Sequence, residues 1–389
     1  MQSKRERYEA LDVLRGLTIV IMALDHSRHF FALGYVYYAP MDIELTNLAV
    51  FFTRWVTHFA APVFIFLAGI GLFFASSRRT KAELAYLAIS RGVWLIFLEL
   101  TLVLFFWTFI PDFIYHPKVA VLFAIGVSMI FMGFLIYLPK PLIAIVAISM
   151  IFGHNLLDSL STTSFGSLSW IWNLLHAPGN FHLEEIQIRV IYPFIPWIGV
   201  MALGYLFGPV TKLPKIQRKK IFLQTGILFL SFGLILRFSN LYGDPYLWTS
   251  YDEFESTLMS FLHLTKYPAS LIYLSTFLGI AMILMNLFDR NLGRWANPLK
   301  EIGQVPFFFY VLHIPLLHIG AIALALFTFG DASWLYNAPV AHSPAGLSYG
   351  YELLPTYLGW IAVILVLYYP SKWFASLKKS RKDWWLSYL

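Results

Sequence analysis

The 389-residue chain contains no cysteine. This absence excludes a cysteine nucleophile, a thiolate-bound metal and disulfides in external loops. It also excludes S-acylation of the protein itself. Candidate catalytic groups have to be sought among the other side chains.

Charged side chains are scarce as well. They make up 13% of the chain, whereas hydrophobic residues make up 59% and the mean hydropathy is +0.67. Soluble domains are about 45–50% apolar and about 25% charged, so the composition indicates a polytopic membrane protein. No polar stretch exceeds about 35 residues, which is too short for a separate soluble domain. We therefore predict one transmembrane domain over residues 1–389.

Two other signals are missing. The first apolar segment is too charged for a signal peptide and no A-x-A site follows it, so we expect no cleavable signal. The net charge of +7 is not gathered in a soluble basic patch but spread over one face of a membrane, so we expect no nucleic-acid partner.

About ten apolar segments are long enough for transmembrane helices, and the predicted fold class is all-α. They cover residues 12–33, 50–75, 84–110, 118–138, 140–157, 189–208, 220–239, 268–287, 304–329 and 354–372.

The positive charges predict an orientation. Most of the 28 Lys and Arg residues fall in segments on the side of the N-terminus, around residues 4–7, 78–81, 212–220, 290–300 and 372–382. The opposite loops carry only Lys118, Arg237 and Lys266. Because cytoplasmic loops are enriched in Lys and Arg, both termini are predicted to be cytoplasmic.

The first segment carries five ionisable groups inside an apolar span: Asp12, Arg15, Asp25, His26 and Arg28. Such groups are costly at membrane depth and by default indicate a functional site. Eleven helical steps place His26 about 16 Å from Arg15, comparable to the pantetheine arm of coenzyme A. Arg15 would then hold a phosphate at the inner surface while a thioester reaches His26. The alternative is a buried ion network that only joins neighbouring helices.

The second segment offers partners for the first. Arg54 and His58 are four residues apart and share a helical face at about the depth of Asp25 and His26. Asp25 and His26 point about 100° apart, so Asp25 is expected to contact Arg54 or His58 instead. An aspartate that orients one histidine while the other acts as a base is the logic of generalised triads.

Further candidates lie on other segments. Arg91, together with Arg78 and Arg79, is positioned to face cofactor phosphates from the inner side. His313 lies three residues after Tyr310 in a later span and is a secondary catalytic candidate. No HExxH motif is present and the histidine spacings form no clean pair, so no metal is expected.

The loops opposite the termini combine acidic residues with aromatic ones, among them Trp170, Trp172, Trp248 and Tyr251. Aromatic rings stack on sugar faces, which favours a saccharide ligand. An aromatic belt at the headgroup level explains the same residues equally well.

Several motifs resemble a known family. Leu11-Asp12-x-x-Arg15-Gly16 with His26 resembles the first-helix motif of the transmembrane acyltransferase superfamily, which includes the acyltransferase-3 proteins. The Phe59-x-x-Pro62-x-Phe64-x-Phe66-x-x-Gly69 spacing and residues 303–313 look more like bacterial heparan-α-glucosaminide N-acetyltransferase catalytic domains. Tyr192-Pro193-x-x-Pro196-Trp197 and residues 264–268 also fit, so the resemblance covers nearly the whole chain.

The resemblance implies an acetyltransferase in a bacterial inner membrane, moving an acetyl group from cytosolic acetyl-CoA to a periplasmic saccharide. His26 would be the general base or the acyl acceptor. Asp25, Arg54 and His58 would orient and polarise the reactants, while Arg15 and Arg91 would bind CoA phosphate. The alternative is a transporter or flippase of a saccharide or lipid-linked substrate, with the buried charges along its path. A homo-oligomer is compatible with either.

Overall fold

The computed structural model describes residues 8–32, 40–114, 116–336, 353–381 and 383–387. Lys4, Arg5, Arg7 and Lys382, which belong to the predicted inner charges, lie outside the described residues. The described chain is mostly helical, and its α-helices are α1 Glu9–Phe31, α2 Leu48–Thr57, α3 Ala60–Ser76, α4 Lys81–Leu98, α5 Leu104–Thr108, α6 Val121–Leu135, α7 Lys140–Phe152, α8 Ser169–Leu175, α9 Ile195–Phe207, α10 Lys215–Ser239, α11 Phe254–Leu262, α12 Leu271–Phe288, α13 Asn297–Gly303, α14 Pro306–Phe329 and α15 Leu353–Ser380.

Each predicted apolar segment contains a helix, but the segments differ in length. Within the described residues, six helical stretches are long and apolar enough to cross a membrane: Leu48–Ser76, Lys81–Thr108, Lys215–Ser239, Leu271–Phe288, Pro306–Phe329 and Leu353–Ser380. The apolar helices α6 and α7 are shorter, with 15 and 13 residues. Helix α1 has 23 residues and owes its lower hydropathy to its ionisable groups. The chain is therefore an integral membrane protein by these helices, and the count of ten spans stays a prediction.

A small sheet interrupts the predicted all-α pattern. Strands β1 Lys118–Val119, β2 Gly179–Leu183 and β3 Ile186–Val190 pair in the order β1-β3-β2. The residues of β3 alternate Ile-Gln-Ile-Arg-Val, and β-branched residues at period two favour a strand. The segment predicted at 189–208 therefore begins as a strand, and its helix starts only at Ile195.

The segment predicted at 50–75 breaks at His58, between α2 and α3. Pro62 has no N–H, so the carbonyl four residues earlier, that of His58, loses its helical donor. The hydroxyl of Tyr273 on α12 donates to this carbonyl at 2.8 Å instead. A proline thus opens the helix, and a side chain from a distant helix satisfies the freed acceptor.

Helix α1 lies at the centre and contacts α2, α3, α12, α13, α14 and α15. Its closest approach is to α13, where a Cβ on Gly16 would lie 1.9 Å from the Leu299 carbonyl oxygen. A Cβ on Gly303 would lie 1.9 Å from the Asp12 carbonyl oxygen. Small residues allow two backbones to touch in this way. The contact fixes α1 against the C-terminal half of the chain.

Candidate active site

Asp25 on α1 is the centre of a buried charge cluster. Arg54 donates two hydrogen bonds to its carboxylate, at 2.6 and 2.7 Å. Arg28 donates another at 3.1 Å and the Thr57 hydroxyl a fourth at 3.0 Å. The predicted contact between Asp25 and Arg54 is therefore present. Removing one partner of such a buried pair typically costs about 3–5 kcal/mol, because the other charge stays buried.

His26, the next residue, pairs with a histidine 287 positions away. Its Nδ1 lies 2.5 Å from Nε2 of His313 on α14. The Nδ1 of His313 lies 2.6 Å from the Tyr310 carbonyl oxygen, which can only accept, so this nitrogen carries a proton. Nε2 of neutral His313 is then an acceptor, and Nδ1 of His26 must donate to it. With one proton on Nδ1 of each histidine, Nε2 of His26 has a free lone pair, as a base requires.

The ring of His26 is held on several sides. The His313 ring is nearly parallel to it at a centroid distance of 4.8 Å, with the two close nitrogens between the ring centres, and the Trp107 ring meets it edge-on at 5.2 Å. Tyr310 lies 6.2 Å away. His313 is completely buried, whereas His26 reaches the linings of two cavities. The arrangement keeps His26 in one orientation and exposes it to two chambers.

The first cavity has a volume of about 360 Å³. Its lining follows α1 from Arg15 to His26 and includes Arg91 of α4 and the buried Lys266. Most of the rest is apolar: Met22, Ala60, Ala61, Phe64, Leu67, Ala68, Leu72, Trp94, Leu95, Leu122, Ile125, Met129, Pro306 and Phe307. A long, mostly apolar chamber with guanidinium groups suits a flexible chain that ends in an anion.

The second cavity has a volume of about 530 Å³ and a more polar lining. It extends from His26 towards β2 and β3, and its polar residues are Asp25, Arg28, His29, Arg54, Glu99, Trp107, Thr108, Lys118, Asn180, Arg189, Tyr192, Tyr267 and Tyr310. This mixture of cations, carboxylates, amides and hydroxyls suits a polar molecule rich in hydrogen-bonding groups.

The two cavities meet at a small set of residues. Asp25, His26, Val121, Tyr192 and Tyr310 belong to both linings. A molecule in either cavity therefore reaches the same imidazole. Two reactants that enter from opposite ends of α1 would meet there.

Arg15 is fixed at the far end of the first cavity. It donates to the Asp12 carboxylate at 3.2 Å and to the Gly303 carbonyl oxygen at 3.1 Å. Its side chain is still 22% exposed, so part of the guanidinium remains accessible. The buried ion network considered as the alternative is thus real, and it coexists with access to the cavity.

Three predicted site residues lie away from this centre. His58 is buried against Tyr273 and Phe277 and is on the lining of neither cavity. Arg78 and Arg79 line a separate pocket at the start of α4, together with Glu83 and Tyr86. Their predicted roles remain predictions, but the structure does not bring them to His26.

Several lining residues were missed by the sequence analysis. Tyr192 and Tyr310 belong to both cavities, Lys266 to the first, and Lys118 and Arg189 to the second. The sequence assigns Lys118 and Lys266 only to the loops opposite the termini. Burial lowers the pKa of the Lys266 ammonium, which sits at 6% exposure between helices. The sequence signal for these two residues was that lysine is scarce in the loops opposite the termini.

Comparison with known protein families identifies a matching family model. The family model described as heparan-alpha-glucosaminide N-acetyltransferase, catalytic, matches residues 7–241. This stretch includes Asp25, His26, Arg54 and Arg91, while His313 and Lys266 follow it. No curated protein matches the chain.

Proposed function

The chain belongs to the heparan-α-glucosaminide N-acetyltransferase catalytic family, and we propose on this basis that it transfers an acetyl group from acetyl-CoA to a saccharide. The observation that carries the proposal is the position of His26, where an apolar cavity and a polar cavity meet. A donor and an acceptor of different polarity would reach one base from two sides. Family membership alone implies a membrane acetyltransferase; the donor and the acceptor are part of the proposal.

The first cavity is the proposed donor site. Its guanidinium-bearing lining runs from Arg15 to His26, about 16 Å along the helix axis. The pantetheine arm would occupy the apolar stretch, with its thioester at His26. Arg15 and Arg91 would pair with CoA phosphates, because guanidinium groups bind phosphate oxygens in a bidentate manner.

The second cavity is the proposed acceptor site. Its lining combines hydroxyl, amide and charged groups, which match the dense hydroxyls of a sugar. Trp107 and Tyr267 contribute aromatic rings to this lining, against which a sugar ring would pack. The acceptor hydroxyl or amine would approach Nε2 of His26 from this side.

The proposed chemistry follows from which nitrogens of His26 and His313 carry protons. Nε2 of His26 takes the proton from the acceptor O–H or N–H while the acceptor atom attacks the thioester carbon. The carbon–sulfur bond breaks, and the leaving CoA thiolate receives the proton from His26. The Arg54 guanidinium and the Tyr310 hydroxyl, which line the second cavity, would stabilise the negative charge that develops on the carbonyl oxygen. In a two-step version, His26 accepts the acetyl group itself.

The location also belongs to the proposal. The excess of Lys and Arg on the side of the termini supports a cytosolic position for the Arg15 end of α1; acetyl-CoA would then enter from there and the saccharide from the periplasm of a bacterial inner membrane. We further propose that residues 1–389 form one catalytic domain. Its support is the contact of α1 with α13, α14 and α15, which brings His313 to His26.

The test is release of free thiol from acetyl-CoA by the detergent-purified full chain, with a panel of amino sugars. We expect release by the wild type and by the surface control His182→Gln, but not by His26→Ala. Thiol release in the absence of acceptor, limited to one equivalent of enzyme, would select the two-step version. Full activity of His26→Ala would overturn its assignment as the base.

A transporter or flippase is the competing function, because two cavities that share lining residues also suit a protein that passes a substrate from one to the other. Such a protein would move an intact saccharide across vesicles and would ignore acetyl-CoA. No thiol release with any acceptor, together with no CoA binding, would therefore favour transport over transfer.

A further inference from the structure

A second cluster of ligand-type side chains lies outside both cavities. His154 and Asp158 follow the end of α7, and His176 follows the end of α8. One ligand atom from each of the three residues lies within 4.8 Å of the other two. Among the described residues this is the only group of three or more His, Asp and Glu side chains with such geometry.

The two imidazoles are buried, and their ring nitrogens make few hydrogen bonds. His154 is 1% exposed, and apart from an interaction with the Ala269 backbone neither of its ring nitrogens makes a hydrogen bond. Nε2 of His176 meets an Asp158 carboxylate oxygen at 2.9 Å, while its Nδ1 has no partner. Buried ring nitrogens without partners are costly, so a native site of this kind calls for an explanation such as a bound ion.

The surroundings already hold the carboxylate in place. The Asn155 side-chain amide donates to the second Asp158 oxygen at 2.8 Å. Such a contact orients a ligating carboxylate, as the second shell of a metal site does. The Asp158 side chain is 22% exposed, which gives the cluster an open side towards solvent.

We propose that His154, Asp158 and His176 bind a Zn²⁺ ion, with water at the fourth position. Two imidazoles and one carboxylate are a known zinc ligand set when an open position remains. Tetrahedral Zn²⁺ with bonds of about 2.0–2.1 Å needs ligand atoms about 3.3 Å apart. The 2.9 Å contact between His176 and Asp158 would open slightly on binding, and the wider separations, all within 4.8 Å, would close.

The ion would join two segments of the external region. The ligands come from the ends of α7 and α8, and the loop between them includes Gly166, which has a φ of +52°. A bound ion would close this loop onto the end of α7. Pro178, Gly179 and Asn180 line the second cavity and lie two to four residues after His176, so the site would also position that rim.

This proposal departs from the metal-free expectation drawn from the sequence. That expectation rested on the absence of HExxH and of clean histidine spacings. The ligands here are brought together by tertiary structure, with His176 lying 18 positions after Asp158. The site is independent of the acetyltransferase proposal, because it lies on neither cavity lining.

The test measures the zinc content of the full chain, purified in detergent, stripped with chelator, reloaded with Zn²⁺ and freed of excess ion. We expect about one Zn²⁺ per wild-type chain and the same content in His182→Gln, an exposed histidine nearby. The double variant His154→Gln/His176→Gln should retain none. Asp158→Asn removes the ligand's negative charge but keeps the size of a side chain that is 22% exposed, so it should lower the affinity without loss of fold.

A second readout is the thermal unfolding midpoint, which should rise with Zn²⁺ concentration only in chains that bind the ion. Co²⁺ should replace Zn²⁺ and give the absorption bands of a tetrahedral complex. Zinc content in the wild type no higher than in the double variant would overturn the proposal. Retention of Mg²⁺ or Mn²⁺ in preference to Zn²⁺ would overturn it as well.

Discussion

Replacement of His313 by leucine tests whether His313 orients His26 by accepting a hydrogen bond from its Nδ1. The change removes the acceptor 2.5 Å from Nδ1 of His26. Without it, the imidazole of His26 is free to adopt the other tautomer or to rotate towards Trp107. Loss of a residue that orients a reacting imidazole typically lowers activity about 10- to 100-fold. That corresponds to about 1.4–2.7 kcal/mol of transition-state stabilisation.

The variant His313→Gln separates orientation from packing. A glutamine oxygen reaches the place of the histidine Nε2 and accepts the same hydrogen bond, so kcat should recover in part. The KM for acetyl-CoA should stay near the wild-type value in both variants, because His313 lines neither cavity. Both should also lose about 1–3 kcal/mol of stability, because a buried polar contact with the Tyr310 carbonyl changes.

His318→Leu is the matched control. His318 lies on the same helix, is equally buried and makes two backbone contacts, to the carbonyl oxygens of Phe106 and Leu335. It should lose stability but keep kcat per folded molecule. Thiol-release kinetics, normalised to folded protein, would measure the difference. Unchanged kcat in His313→Leu would refute the orienting role, and so would an equal loss in His318→Leu.

Three further changes have defined outcomes. Gly303→Ala places a Cβ 1.9 Å from a backbone oxygen of α1 and should lower the thermal unfolding midpoint steeply, whereas Gly71→Ala, with no atom within 4 Å, should not. Tyr273→Phe leaves the His58 carbonyl without its donor and should cost about 1–3 kcal/mol in denaturant unfolding. Stability should fall as pH drops from 6.5 towards 4, because the pKa of His263 is lowered from 6.5 to about 4.

The direction of the pH effect follows from the difference in the pKa of His263 between the folded and unfolded chain. Burial and the nearby Arg237 guanidinium disfavour the protonated imidazole of folded His263, although Asp42 favours it. Between pH 6.5 and 4 the unfolded chain therefore binds more protons, and the folded state loses up to about 3 kcal/mol. His263→Gln should flatten this part of the stability curve, and the exposed His182→Gln should not. The same slope in both variants would contradict the assignment.

Outcomes for the other two changes are equally sharp. Equal midpoints for Gly303→Ala and Gly71→Ala would mean that α1 and α13 do not touch as described. Wild-type stability of Tyr273→Phe would mean that the His58 carbonyl has another donor.

Much of the helical framework was accessible from local sequence. Long apolar segments fixed the positions of the helices, since hydropathy and helical period are properties of neighbouring residues. Asp25 and Arg54 were matched by depth alone, and the structure joins them through two hydrogen bonds. The small sheet was missed, because 186–190 is short and runs into an apolar helix.

Only part of the candidate site could be predicted from the sequence. His26, Asp25 and Arg15 stood out because ionisable groups are rare inside apolar spans. The depth argument applied equally to His58, yet Pro62 breaks the helix there and its ring turns towards α12 rather than towards His26. Depth along a helix does not determine which face a side chain presents after a break.

The sequence by itself determined the membrane class, the family motifs and the unusual first helix, because each depends on residues close together in the chain. The tertiary structure alone decided the pairing of His26 with His313, the two cavities and the cluster at His154, Asp158 and His176. These depend on contacts between segments far apart in the chain, and some of the helix contacts need small residues such as Gly16 and Gly303 to let backbones touch. No local pattern encodes such contacts, since a helical period specifies a face but not the helix that covers it.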